Sequence, residues 1–152
     1  MNIRAATHED LAAVLALVPR LSATGVPPGR DAAQIEASDT QSIVRALTQA
    51  SAGEALLIAA EGGELLGLVH IKTVVDYFSQ QPIAHVSDVV VAASAEGRGI
   101  GKALMHAAED WAREQGYPMI QLHVLVGNDR ARSMYERLGY CAEWLKYIKP
   151  LD

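Results

Sequence analysis

The sequence has few of the features that mark disulfide-rich, nucleic-acid-binding or membrane-spanning proteins. Its 152 residues include a single cysteine, Cys141, so no disulfide can form within the chain. The 18 acidic residues outnumber the 13 Lys and Arg, and this net charge of −5 disfavours broad nucleic-acid binding. No apolar run approaches the ~20 residues needed to cross a bilayer. We therefore expect no nucleic-acid partner, no membrane association and, without a signal-peptide pattern near Met1, a cytoplasmic location.

The apolar residues that are present suit one folded domain. Hydrophobic residues make up 50% of the chain but aromatic residues only 5%, so Ala, Leu and Val must supply most of the core. Charged residues make up 20%, which is ordinary for a globular protein and argues against disorder. A length of 152 residues is enough for one core of this kind. We expect a single domain over residues 1–152.

Apolar periodicity and turn residues predict alternating strands and helices. Leu11, Val14 and Val18 lie on one helical face, and Gly62-Gly63 between two apolar runs predicts a hairpin. The predicted strands are 2–6, 55–60, 65–75, 83–91, 119–126 and 140–149, and the predicted helices are 7–18, a helix from Asp39 through Leu47, 100–115 and 129–138. The order β-α-α-β-β-β-α-β-α-β is typical of a mixed α/β sheet.

The sharpest local feature is the loop Glu96–Lys102, which follows a predicted strand and begins a predicted helix. Its three alternate glycines allow a ligand to approach the backbone, and the start of the helix exposes N–H groups that have no partner. Arg98 and Lys102 add two positive charges to the favourable end of the helix dipole. This combination predicts a phosphate or pyrophosphate site. A glycine-rich turn that only reverses the chain is the alternative.

Single residues exclude two common nucleotide-binding loops. A Walker A loop needs Ser or Thr after its lysine, but Ala103 follows Lys102. A dinucleotide-binding loop needs Gly-x-Gly-x-x-Gly, and Lys102 or Leu104 occupies the place of the third glycine in the two available registers. A nucleotide-binding protein is therefore the weakest hypothesis for this loop.

Two separated signatures resemble those of the GNAT superfamily of acyl-coenzyme-A-dependent N-acyltransferases. The family's pyrophosphate loop has the form Gln/Arg-x-x-Gly-x-Gly/Ala, and Gly99-Ile100-Gly101 matches its second half. The second signature is Asn-x-x-Ala, then Tyr four residues later, then Gly-Phe. It is matched by Asn128, Ala131, Tyr135 and Gly139-Tyr140, with Tyr in place of Phe. Two signatures in this order are more specific than either alone.

The resemblance implies both a fold and a cofactor. The fold is a single-domain GNAT fold, with a mixed, mostly antiparallel sheet flanked by helices, in which the strands 83–91 and 119–126 splay apart. Acetyl-CoA is the implied co-substrate, and its pantetheine arm would pair with the backbone of the first of these strands. The implied cofactor-binding residues are Val89, Val90, Val91, Glu96, Gly97, Arg98, Gly99, Ile100, Gly101, Lys102, Asn128, Arg130 and Tyr135.

Glu96 departs from the family pattern, because this carboxylate stands where relatives have Gln or Arg. We expect its side chain to point away from the anionic cofactor, and Arg98 to supply the missing positive charge. Arg130, near the start of its predicted helix, is placed to meet the 3′-phosphate of coenzyme A.

Tyr135 matches the family position of the general acid that protonates the sulfur of coenzyme A. It also lies on a helical stripe with Ala131 and Leu138, so an ordinary core residue is the alternative interpretation.

Several residues compete for the role of general base. Ser87 stands where many relatives carry Glu, and His85 lies on the same face of the predicted strand. Asp88 lies on the opposite face and would reach the site only if a bulge shifted the phase of the strand. His123 on the facing strand, or a chain of waters without a dedicated base, are further alternatives.

The implied reaction is direct attack of a primary amine on the thioester of acetyl-CoA within a ternary complex. The acceptor is an unidentified small molecule or peptide, whose pocket we expect residues 20–39 and 76–82 to border. Asp31, Glu36 and Asp39 are candidates to hold a cationic amine. An acyl-CoA-binding sensor or interaction module with an incomplete site is the alternative, because Glu96 and Ser87 depart from the family pattern.

The remaining histidines do not suggest a metal site. His8, His70 and His106 lack the spacing to Cys, Asp or Glu that metal ligation requires, so we predict no metal. Because relatives commonly dimerise, a homodimer is a further expectation from the resemblance.

Overall fold

A five-stranded sheet forms the centre of the fold. The computed structural model describes residues 1–49 and 51–151. The strands are β1 (Asn2–Ala5), β2 (Glu54–Glu61), β3 (Glu64–Val75), β4 (Pro82–Val91) and β5 (Ile120–Leu122). They lie in the order β1-β2-β3-β4-β5, and every neighbouring pair is antiparallel except β4 and β5, which run parallel. The predicted α/β fold with a mixed, mostly antiparallel sheet is confirmed.

Helices cover this sheet and complete the core. They are α1 (Leu11–Leu17), α2 (Ala32–Thr48), α3 (Ile100–Glu114) and α4 (Asp129–Arg137), with short 3-10 turns at His8–Asp10, Val18–Arg20 and Ala93–Ala95. Helix α1 packs against β3, α2 against β2, and α3 across β2, β3 and β4. Fully buried side chains at their junction include Ile58, Leu68, Ile71, Leu104 and Met105. In residues 1–49 and 51–151, no helix is long and apolar enough to cross a membrane.

Local signals in the sequence explain several element boundaries. Gly62 and Gly63 both have positive φ, +60° and +86°, as the tight β2–β3 hairpin requires. The Asp10 carboxylate accepts a hydrogen bond from the backbone N–H of Thr7 (2.7 Å) and begins the first helical segment. The side chain of Asn128 accepts a hydrogen bond from the N–H of Ala131 (3.2 Å) and caps α4.

Two predicted boundaries were wrong. Helix α2 begins at Ala32 rather than near Asp39, because the Asp31 carboxylate accepts a hydrogen bond from the N–H of Gln34 (2.9 Å) and caps the helix a full two turns earlier than its apolar pattern suggests. The predicted strand 119–126 is only Ile120–Leu122, because β5 loses its partner where β4 diverges from it.

The predicted strand 140–149 was also wrong. Residues 140–149 have no regular secondary structure, although the segment is rich in apolar and aromatic residues. Trp144 instead packs on Phe78 and Tyr77, with ring centroids 5.3 and 5.5 Å apart. A strand also needs a sheet edge that accepts it, and no edge among the described residues pairs with this segment.

One irregularity in β4 decides which side chains face the site. His70 of β3 pairs with Asp88, but the next residue, Ile71, pairs with Val86. Ser87 is therefore an extra residue, and the structure contains the bulge on which the placement of Asp88 depends.

Gly67 marks the closest approach of β3, β4 and α3. A Cβ added there would lie 2.6 Å from the backbone oxygen of Val90 and 3.1 Å from Leu104 Cδ1. Because a backbone oxygen in a central strand cannot move aside, we expect Gly67→Ala to lower the free energy of unfolding by about 1–3 kcal/mol, measured by urea denaturation.

Gly127→Ala is the matched control, because nothing lies within 4 Å of an added Cβ there. It should change stability by less than about 0.5 kcal/mol. A Gly67→Ala variant as stable as the wild type would contradict the close packing described for this position.

Candidate active site

A cleft opens where β4 and β5 separate. The two strands pair at only three positions, Ala84–Ile120, His85–Gln121 and Val86–Leu122. Beyond Val86, β4 continues to Val91 paired with β3 but no longer with β5. The cleft holds about 180 Å³. It is lined by residues 86–89 of β4, residues 122–125 at and after β5, Leu21, Thr24 and Asp39 on one side, and Asn128 and Tyr135 on the other.

The bulge at Ser87 brings Asp88 to the wall of this cleft. Oδ2 of its carboxylate lies 3.1 Å from Nδ1 of His70, a fully buried residue of β3. Ser87 Oγ is buried beside it and has no hydrogen-bond partner within residues 1–49 and 51–151. Asp88 therefore lies in the cleft with a defined partner behind it, whereas the hydroxyl of Ser87 cannot act as a base at neutral pH.

Tyr135 of α4 lines the same cleft while remaining 8% exposed. Burial raises the pKa of its phenol above the usual value, so the hydroxyl keeps its proton at neutral pH. Its ring also packs edge-on against Tyr140, with centroids 6.0 Å apart. The two interpretations made from the sequence, a core residue and a general acid, are therefore compatible, because Tyr135 is packed into the core and borders the cleft.

His85 and His123 lie at the narrow end, where β4 and β5 still pair. His85 Nδ1 lies 3.2 Å from the side-chain amide of Gln121, and the rings of His85 and His123 are 5.0 Å apart. Burial, together with the neighbouring His123 and Lys72, lowers the pKa of His85 to about 4. His85 is therefore neutral at pH 7 and, unlike His123, is not one of the residues that line the cleft.

The glycine loop follows the end of β4 and leads into α3. Gly97 and Gly99 have φ angles of +76° and +77°, and Gly99 is the N-terminal cap of α3. The helical hydrogen bonds begin with the N–H of Ala103, which donates to the carbonyl of Gly99 (3.0 Å). The preceding N–H groups of Ile100 to Lys102 are therefore not consumed by the helix, as an anion site requires.

Glu96 is held by two arginines. Its carboxylate accepts hydrogen bonds from Arg20 (2.6 Å) and Arg130 (2.8 Å), and Arg20 Nε also donates to the carbonyl of Val91 (2.9 Å). Arg130 first, and then Arg20, lower the pKa of Glu96, so it is ionised but compensated. Arg20 is a site residue that sequence reasoning missed, because it precedes Glu96 by 76 positions and belongs to a different element.

Of the two positive residues of the loop, Arg98 is paired with a carboxylate outside it and Lys102 is not paired within the described part of the chain. Arg98 donates to Glu61 of the β2–β3 hairpin at 2.5 Å, so its guanidinium is engaged outside the glycine loop. Lys102 is exposed in the first turn of α3 and forms no ion pair with the described residues. Lys102, rather than Arg98, is the cation at the start of this helix.

The remaining predicted cofactor residues lie along the path from the cleft to the loop. Val89 borders the cleft, Val90 is buried, and Val91 ends β4. Ile100 is buried at the start of α3, and Asn128 borders the cleft as the cap of α4. Within the described residues, no group of three or more His, Cys, Asp or Glu side chains is arranged to hold a metal ion.

Comparison with known proteins identifies the family. The profile of the Acetyltransferase (GNAT) family matches residues 27–140. The chain is 30% identical over 140 residues to the uncharacterized N-acetyltransferase YhfO of Bacillus subtilis (strain 168), covering 92% of this chain and 89% of that protein. It is also 35% identical over 89 residues to mycothiol acetyltransferase of Renibacterium salmoninarum. That match covers 59% of this chain and only 26% of the mycothiol acetyltransferase.

Solved structures agree with this match. A putative acetyl transferase from Pyrococcus furiosus superimposes with a TM-score of 0.80 at 28% identity, covering 99% of both chains. The aminoglycoside 6′-N-acetyltransferase AAC(6′)-IG from Acinetobacter haemolyticus has a TM-score of 0.74 over the whole of both chains, but at 19% identity it shows the shared fold alone. From the matched profile and the full-length similarity to YhfO, the chain belongs to the GNAT family of N-acetyltransferases.

Proposed function

We propose that this protein transfers the acetyl group of acetyl-CoA to a primary amine of a small molecule or peptide in a ternary complex. The observation that carries the proposal is the shared cleft of Asp88 and Tyr135, at the open edge of β4 that leads to the glycine loop. A group able to take a proton and a group able to give one thus line one cavity. Direct acyl transfer to an amine needs both.

Acetyl-CoA would bind along β4 and across the start of α3. The edge of β4 beyond Val86 has no strand partner on the cleft side, so its backbone can pair with the pantetheine arm. The pyrophosphate would accept hydrogen bonds from the N–H groups of the loop Gly97–Lys102. Because Arg20 and Arg130 compensate Glu96, its charge does not oppose the cofactor as strongly as the sequence suggests.

The reaction moves two protons around one acyl transfer. The acceptor ammonium gives its first proton to the Asp88 carboxylate, and the free amine attacks the thioester carbonyl carbon. The new C–N bond forms, the C–S bond breaks, and the Tyr135 hydroxyl protonates the departing thiolate. The nitrogen then gives its second proton, through solvent, to the Tyr135 phenolate, and Asp88 releases its proton to solvent, so that both residues return to their starting states. Asp88 is the better base candidate because it lines the cleft with Tyr135, whereas His85 is hydrogen-bonded at the narrow end.

The charges of the cleft favour a cationic acceptor. Asp39 of α2 borders it together with Asp88, and burial together with the nearby Asp88 charge raises the pKa of Asp39. An ammonium group between these carboxylates relieves their repulsion. Of the other acidic candidates, Asp31 caps α2 and Glu36 is exposed on the same helix. Asp39 is therefore the residue we assign to acceptor binding.

A screen of acceptors tests the proposal directly. Purified protein saturated with acetyl-CoA is offered amino acids, polyamines, aminoglycosides and peptides with free N-termini, and thiol release is followed spectrophotometrically. We expect turnover with at least one cationic amine. Acetyl-CoA binding without thiol release from any acceptor would instead favour the sensor or interaction module.

The cytoplasmic location and the homodimer remain predictions.

Lys102→Glu tests the cofactor site. We expect the Kd for coenzyme A, measured by calorimetry, to rise about tenfold or more, because the reversed charge faces the phosphates. A glutamate in the first turn of a helix is favourable, so the fold should be retained. Lys146→Glu, in the exposed segment after Tyr140, is the matched control. An unchanged Kd for the Lys102 variant would remove the loop as the phosphate site.

Tyr135→Phe tests the general acid. We expect kcat to fall on the order of 100-fold while the Kd for coenzyme A stays within about twofold, because only the proton donor is lost. Tyr140→Phe is the control, since its hydroxyl donates to Glu109 (3.2 Å) and does not border the cleft. Wild-type turnover in the Tyr135 variant at both neutral and alkaline pH would exclude Tyr135 as the acid.

Asp88→Asn tests the general base. We expect kcat/KM at neutral pH to fall about 100- to 10,000-fold, and part of the loss to be recovered at alkaline pH, where the acceptor amine is already deprotonated. Asp110→Asn, on the exposed face of α3, should retain wild-type kinetics. If kcat/KM of the Asp88 variant equals that of wild type at neutral pH, the base must be sought elsewhere.

A further inference from the structure

A chain of charged and titratable side chains runs across the sheet behind the cleft. Arg45 of α2 donates two hydrogen bonds to Glu54 of β2, at 3.1 and 2.9 Å. Oε1 of Glu54 lies 2.7 Å from Nε2 of His70 on β3, and Nδ1 of the same ring lies 3.1 Å from Oδ2 of Asp88 on β4. The chain thus connects an exposed guanidinium to the cleft through a fully buried imidazole.

Glu54 fixes the orientation of the His70 ring. Burial acts to raise the pKa of Glu54, but hydrogen bonds from Arg45, His70 and Ser51 outweigh it and lower the pKa to about 2. An ionised carboxylate can only accept hydrogen bonds, so Nε2 of His70 must be protonated. Glu54 therefore holds Nε2 and leaves Nδ1 facing Asp88, as orienting carboxylates do for histidines in other sites.

The second nitrogen of His70 holds one oxygen of Asp88. Because Nδ1 and Oδ2 are 3.1 Å apart, a single proton must lie between them. Oδ1, the other oxygen of Asp88, has no hydrogen-bond partner within the described part of the chain and is available to the cleft. The bulge at Ser87 is what aligns Asp88 with His70, since without it the two residues would not pair.

The charges of this chain balance. Arg45 is positive, Glu54 is negative, and the His70–Asp88 pair with its shared proton is neutral, so the network as a whole carries no net charge. Such a balance is what allows ionic groups to be buried in a sheet, where an unpaired charge is strongly destabilising. Well-packed hydrophobic side chains of the same volume would stabilise the fold as well or better. Stability alone therefore does not account for the presence of charged residues at these positions.

We propose that His70, oriented by Glu54 and Arg45, is a positioning residue that holds the Asp88 carboxylate in the cleft with Oδ1 directed to the acceptor amine. This inference rests on the proposed function, in which Asp88 removes the acceptor's proton. The hydrogen bond between Nδ1 of His70 and Oδ2 restricts the rotation of the Asp88 carboxylate.

Other charged and titratable groups lie around Asp88. Asp39 of α2 borders the cleft with Asp88 and disfavours two adjacent negative charges. His85 on β4, whose pKa is about 4, is neutral over the working range. Glu54 and Arg45 act only through His70. Loss of the His70 donor would therefore leave Asp88 exposed to the repulsion of Asp39 without compensation.

His70→Gln tests the inference kinetically, because glutamine can replace only one of the two hydrogen bonds. We expect kcat/KM for the amine to fall about 10- to 100-fold, the loss typical of removing an orienting partner. The acidic limb of the pH profile of kcat/KM should move to higher pH, while the Kd for coenzyme A is unchanged.

Glu54→Gln and His106→Gln provide the second variant and the control. Glu54→Gln keeps the imidazole but removes the carboxylate that orients it, so it should shift the same limb in the same direction by less. Rescue of the pH profile by Glu54→Asp would not be expected, since the shorter side chain cannot reach Nε2. His106→Gln, at an exposed histidine 3.4 Å from Glu109, should retain the wild-type profile.

Nitrogen-15 NMR of the histidine rings gives a readout that does not need activity. We expect His70 to carry a proton on Nε2 from about pH 6 to about pH 8, and the Nδ1 signal to change in Asp88→Asn. If the wild type transfers no acetyl group, the proposed function fails, yet these signals still report the Glu54–His70–Asp88 chain.

Two results would overturn the inference. One is an unprotonated Nε2 in the wild-type spectrum. The other is a His70→Gln variant with lower thermal stability but the wild-type kcat/KM and acidic limb, which would mean that His70 only stabilises the fold. If His70→Gln does not fold, Glu54→Gln and the wild-type spectrum decide between the same outcomes.

Discussion

The short parallel pairing of β4 and β5 is the constraint on which the rest of the site depends. Three paired positions hold the strands together, and beyond Val86 they separate. A strand that loses its neighbour leaves backbone hydrogen-bonding groups without partners, which is costly unless a ligand or solvent satisfies them. The same divergence creates the cleft, exposes the edge of β4 and directs the chain after Val91 toward the glycine loop.

The bulge at Ser87 is the second feature that shapes the site, and it lies where β4 and β5 begin to diverge. It shifts the phase of β4 where the strands begin to separate, and so pairs Asp88 with His70 while Asp88 still borders the cleft. A regular strand would have kept Asp88 and the position of the family's Glu on opposite faces. The bulge thus provides a carboxylate in a chain whose sequence has serine at the family's usual position.

Electrostatics in this molecule are arranged locally rather than by the total charge. Taken alone, the net charge of −5 opposes a polyphosphate ligand. At the glycine loop, however, Glu96 is compensated by Arg20 and Arg130, and Lys102 is left facing the start of α3. Behind the cleft, ionic groups from three strands and a helix form a network without net charge, which runs from the exposed Arg45 through the buried His70 to Asp88. On the acceptor side, Asp39 adds a negative charge beside Asp88.

The sequence by itself determined the family, most of the elements and the loop that would bind phosphate. These depend on short-range signals: glycines at fixed spacing, the Asn128 cap, the Gly62-Gly63 turn and apolar periodicity all act within a few residues. Even here a local cap prevailed over periodicity, because Asp31 begins α2 before its apolar stripe does. The strand predicted over 140–149 was wrong for a related reason, since apolar composition does not supply a partner edge.

Only the tertiary structure decided which charged residues act together. Arg20 and Glu96 are 76 positions apart, and Glu54, His70 and Asp88 belong to three strands, so no spacing in the sequence connects them. The position of Asp88 depends on one extra residue in β4, Ser87. This bulge determines that Asp88 faces His70 on the neighbouring strand. Strand register is a property of the assembled sheet, because it is set by pairing and packing with β3 rather than by the residues of β4 alone.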